Sequence, residues 1–90
     1  MNIESQHVLV IKNCIKKFLP EAKIFLFGSR AKETNYEFSD VDIAIKDPKI
    51  NFAILAQIRF ELEESDLPYK LDLVDYDELD EKILFNKIEL

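Results

Sequence analysis

Three aspartates in this 90-residue chain occupy positions where carboxylates can do chemistry: Asp40 and Asp42 in SDVDIAI, and Asp72 in YKLDLV. Acids two apart on a β-strand project from the same face, with Cα atoms roughly 6.5–7 Å apart. Both can then converge on one metal ion or bridge a pair. Magnesium takes hard oxygen ligands and usually shares its coordination sphere with substrate phosphates. Asp72 adds a third carboxylate if its strand lies beside that of Asp42, and Asp75 is the alternative. Such acids also occur simply as a turn cap and outward-facing strand residues, and on the DxD alone that reading stays open.

A second feature lies just upstream. Gly28 is the one glycine of the chain, where average usage would give roughly six. It ends the apolar run KIFLF and leads into Ser29-Arg30. A glycine where a strand turns into a helical turn lets an anion approach bare backbone N–H groups. Ser29 can donate its hydroxyl to a phosphate oxygen, and Arg30 can add a charged bidentate contact. A plain strand-to-helix turn capped by Ser29 would use the same residues. No second glycine or Lys-Ser/Thr follows, so this is not a Walker-type loop.

The elements that position these residues follow from periodicity. Val8, Ile11, Ile15 and Phe18 recur at helical spacing over residues 5–19, and Pro20 ends that helix. Residues 23–27 read as a buried strand, 29–35 as a helical turn and polar loop, and 40–46 as an alternating strand. Asp47-Pro48 breaks it. Ile54, Leu55, Ile58 and Leu62 mark a helix over 51–64, and Tyr69–Val74 a third strand. A last helix is expected to start at an Asp77 N-cap and to carry Leu79, Ile83, Leu84 and Ile88. The order predicts an α/β (α+β) domain, a small mixed sheet covered by helices, with residues 1–90 forming one unit.

Composition narrows the partners. The chain is 48% hydrophobic and 33% charged, with a formal net charge of −6, which suits a compact globule rather than a disordered segment. No basic patch suited to a long nucleic acid is visible. A nucleotide arriving with magnesium is compatible, since the metal brings positive charge. One cysteine, Cys14, excludes an internal disulfide and a cysteine-based zinc site, and with no signal sequence visible a cytoplasmic setting is expected. Cys14 reads as a small core residue, and His7 as lacking partners for acid–base work.

Together, LFGSRA, SDVDIAI and YKLDLVDYDEL resemble, in order, the phosphate-binding turn, paired metal ligands and third-carboxylate strand of the minimal nucleotidyltransferases (MNT) in the DNA polymerase beta superfamily. The resemblance implies that Gly28, Ser29 and Arg30 hold the triphosphate and that Asp40, Asp42 and Asp72 form the catalytic and metal site, with two Mg²⁺ ions. It further implies transfer of a nucleoside monophosphate, AMP from ATP, to a hydroxyl of a small helical HEPN-domain partner, the chain being the antitoxin of a two-component module. A non-catalytic partner-neutralising module with a vestigial metal site is the alternative, as is transfer to a small molecule. The chain departs from many relatives in having Lys32-Glu33-Thr34-Asn35 where a second glycine often stands, and the lack of an appended template-binding domain argues against templated synthesis.

Overall fold

In the computed structural model, residues 3–28 and 41–90 are described; Ser29, Arg30 and Asp40 lie outside them, as does the helical turn expected at 29–35. Helix α1 spans Ser5–Phe18, and its last turn carries Lys16 and Lys17, which complement the negative end of the helix dipole. Strand β1 is Lys23–Phe27 and β2 is Val41–Lys46. Helix α2 is Phe52–Glu63, started by Asn51, whose side-chain oxygen accepts the Ile54 N–H at 2.9 Å. Strand β3 is Leu71–Asp75, a 3₁₀ turn follows at Tyr76–Glu78, and β4 is the short Ile88–Glu89.

The sheet order is β3-β2-β1-β4. β1 runs antiparallel to both β2 and β4, while β2 and β3 are parallel. A parallel pair needs a long crossover, and α2 supplies it.

Each face of the sheet has its own core. Ile24 and Leu26 of β1, Val41, Ile43 and Ile45 of β2, and Leu73 of β3 pack against Ile11 and Ile15 of α1 and Ile58 and Leu62 of α2. On the other face Phe25, Phe27 and Ala44 are covered by Leu84, with Val74, Tyr76 and Leu79 packed around them. No helix covers this second face among the described residues. The cover comes from the chain after β3.

That region corrects the expected last helix. Asp75, rather than Asp77, caps the 3₁₀ turn by accepting the Asp77 N–H at 3.0 Å. Residues 81–86 form turns, and Ile88 pairs with Leu26 as part of β4. The helical spacing of Leu79, Ile83 and Leu84 is overruled because the backbone of β1 offers an open edge whose polar groups need partners. The Leu90 N–H donates to the Ile24 carbonyl at 2.8 Å and continues that pairing. The third strand also starts later than expected, at Leu71, because Pro68 and Tyr69 lie before the ladder.

Candidate active site

Register decides which acids share a face. Asp42 lies directly beside Asp72 in the parallel β2–β3 ladder, and opposite Phe27 in the antiparallel β1–β2 ladder. Neighbouring residues across a ladder project to the same side, about 4.8 Å apart from strand to strand. Asp42 and Asp72 therefore stand side by side on the face away from the helices. Asp75 pairs with Ile45, whose side chain is buried in the helix-side core, so alternation sets Asp75 apart from the other two acids. Its carboxylate is engaged in capping the following turn.

Gly28 completes the geometry from the other side. Its φ is +75°, a left-handed conformation that side chains rarely adopt. A Cβ built at this position would lie 2.5 Å from Oδ2 of Asp42. The glycine is needed twice over: for the turn leaving β1, and to make room for the Asp42 carboxylate. Across the sheet the order is thus the glycine turn, Asp42 and Asp72, spanning three strands.

Asp72 is exposed and Asp42 half-buried. Among the described residues no group of three or more His, Cys, Asp or Glu side chains is gathered to hold a metal ion. Of the three acids expected at the site, Asp42 and Asp72 are described, and Asp40 lies outside the described residues together with Ser29 and Arg30. The donor set fits magnesium in kind: hard carboxylate oxygens on one rigid sheet face, beside a backbone turn that no Cβ can occupy.

The environment of the site was only partly visible in the sequence. A cavity of about 470 Å³ opens at the β3 edge, lined by Arg59, Leu62 and Glu63 of α2 and by Tyr69, Lys70, Leu71 and Asp72. Arg59 and Lys70 are functional candidates that pattern reading passed over. Lys70 carries a signal in retrospect, lying two residues before Asp72 and so on the same side of an extended chain. Arg59 has none, because its position beside β3 depends on how α2 packs.

His7 has a partner after all: its Nδ1 lies 2.9 Å from the Tyr69 hydroxyl, and the two rings meet edge-to-face. The contact ties α1 to the segment entering β3. Cys14 is half-buried against the helix-side core, as expected of a small core residue. Burial, reinforced by the nearby Glu61 carboxylate, raises its thiol pKa and keeps it neutral.

Comparison with known proteins agrees with this architecture. The family described as "Polymerase beta, Nucleotidyltransferase" matches residues 10–89. The chain belongs to this family. It is a nucleotidyltransferase. "Probable protein adenylyltransferase MntA" of Haemophilus influenzae is 30% identical over 77 residues, covering 84% of this chain and 68% of the relative. A crystal structure of a protein described as a nucleotidyltransferase superposes with a TM-score of 0.69 at 22% identity, covering 96% of this chain and 99% of that one, which bears on the fold. The α+β architecture with a mixed four-stranded sheet is that of the nucleotidyltransferase fold.

Proposed function

We propose that this nucleotidyltransferase is a magnesium-dependent protein adenylyltransferase that moves AMP from ATP to a hydroxyl of a small helical HEPN-domain partner, as the antitoxin of a two-component module. The observation that carries the catalytic part is the row of Gly28, Asp42 and Asp72 across three adjacent strands on one sheet face. The likeness to a relative named as a protein adenylyltransferase supports the acceptor class.

In this reading the bare backbone at Gly28 admits the phosphates, with Ser29 and Arg30 adding donors. Asp40, Asp42 and Asp72 are the residues that would hold magnesium. When bound, the metal supplies charge neutralisation for the phosphates and the developing pyrophosphate. The acceptor oxygen forms a bond to the α-phosphorus while the bond from that phosphorus to the bridging oxygen of pyrophosphate breaks. Asp72 takes the hydroxyl proton. Positioning and electrostatics provide most of the catalysis in such transfers, which suits a site built on so few residues.

The test is incubation with α-labelled ATP, magnesium and the helical partner. Label is expected on the partner with the wild type and absent with Asp42→Asn. Equal labelling by the two proteins would overturn the catalytic assignment. Full suppression of the partner by an Asp42→Asn/Asp72→Asn variant would favour neutralisation by binding alone.

A further inference from the structure

The sheet order also constrains the side from which the acceptor arrives. Attacking and leaving oxygens lie roughly in line through the phosphorus. With the phosphates held at the Gly28 turn beyond β1, the attacking hydroxyl must come from the opposite side, over β3. That strand is an edge of the sheet, and Asp72 stands on it. The cavity of about 470 Å³ opens there and has Asp72 in its lining.

The lining of this cavity carries two cations, Arg59 and Lys70, beside two acids, Glu63 and Asp72. The chain carries 18 acids against 12 lysines and arginines, yet Lys70 and one of its two arginines, Arg59, both line this cavity together with Asp72. Lys17 and Lys46 are each held by a carboxylate, Glu61 at 2.6 Å and Asp77 at 2.7 Å. Among the described residues neither Arg59 nor Lys70 forms an ion pair. Glu63 follows Arg59 by one helical turn, a spacing that allows pairing. Arg59 instead turns one guanidinium nitrogen to the Leu73 carbonyl at 3.4 Å. A guanidinium has five donors in a planar fork, so this single long contact leaves most of the fork available to an incoming carboxylate.

We propose that this cavity is the acceptor subsite and that Arg59 and Lys70 select an acidic peptide, one whose acceptor hydroxyl is flanked by carboxylate side chains. The inference rests on the proposed transfer to a protein hydroxyl, but its test does not require turnover. Arg59 and Lys70 act as specificity residues: they hold the flanking acids at the β3 edge, the strand on which Asp72 stands. Tyr69, half-buried and in contact with His7, forms part of the wall next to Lys70.

The test uses three fluorescent peptides, each with a central tyrosine flanked by glutamates, glutamines or lysines, titrated with the wild-type protein without ATP or magnesium. The glutamate peptide is expected to bind about fivefold tighter than the glutamine peptide, the sum of two exposed charge pairs. The preference should shrink with added salt and vanish in Arg59→Gln/Lys70→Gln. Lys70→Gln alone, which leaves the Arg59–Leu73 contact intact, should lose part of it. Equal binding of the glutamate and glutamine peptides, tighter binding of the lysine peptide, or a preference that survives in the double variant would overturn the proposal. Peptide preference without label transfer from ATP counts against the proposed function and leaves the subsite standing. Label transfer with no preference does the reverse.

Discussion

The two faces of the sheet are built from the same strands and do different work. The helix-side face takes alternate residues of β1 and β2, Ile24, Leu26, Val41, Ile43 and Ile45, all of them 0–1% exposed. It is sealed by two helices. The opposite face takes the residues in between, Phe25, Phe27, Asp42 and Ala44, and mixes a small aromatic cluster with carboxylates. Among the described residues its cover is the chain after β3, and Asp72 is exposed. Separating the faces lets one bury apolar area while the other keeps polar groups in water, where charge costs little. A site placed on the helix side would have to bury carboxylates among isoleucines.

Substitutions on the two faces should therefore separate activity from stability. The largest effect is expected at the acids: Asp42→Asn or Asp72→Asn should lower label transfer from ATP by about 10²–10³-fold, with the thermal midpoint nearly unchanged. A large loss of stability instead would show that the acids hold the fold. Ile43→Ala, one residue from Asp42 but on the other face, should cost about 2–5 kcal/mol in urea unfolding. Its transfer rate per folded molecule should stay near that of the wild type.

Gly28→Ala tests the hinge between the two roles. Its positive φ and the 2.5 Å approach to Asp42 Oδ2 predict about 1–3 kcal/mol of strain together with displaced carboxylate geometry. Both stability and transfer should fall. Unchanged transfer would detach the glycine from the site.

The smallest effect concerns Cys14. Its thiol pKa is raised in the folded chain, so the protein holds that proton at pH values where the unfolded thiol has lost it. The stabilisation is complete below the unfolded pKa and is lost as pH rises through the folded value. Iodoacetamide near pH 9 should label the native thiol several-fold more slowly than the urea-unfolded one. Equal rates would place Cys14 outside the packed layer.

Much of the scaffold was readable from periodicity. Helices at Ser5–Phe18 and Phe52–Glu63 and strands at Lys23–Phe27 and Val41–Lys46 match the expected spans within two residues. These segments have clear stripes and firm boundaries at Pro20, Gly28 and Asp47-Pro48. The C-terminal segment misled because Leu79, Ile83, Leu84 and Ile88 fit a helix by spacing alone. In the fold Leu84 is buried under the second face, Ile83 stays half in solvent and Ile88 joins the sheet. Local spacing cannot report an unpaired strand edge elsewhere in the molecule.

The same division holds for the site. By itself the sequence determined that Asp42 lies on the face opposite Val41, Ile43 and Ile45, because strand residues alternate. It also determined that a lone glycine ends the preceding strand. Only the tertiary structure decided that β3 runs parallel beside β2 in a register that brings Asp72 next to Asp42, and sets Asp75 apart from both. Only it showed that Gly28 is bare because the Asp42 carboxylate lies against it. Alternation is a property of one strand, whereas register and contact depend on how strands and helices far apart in the chain pack together.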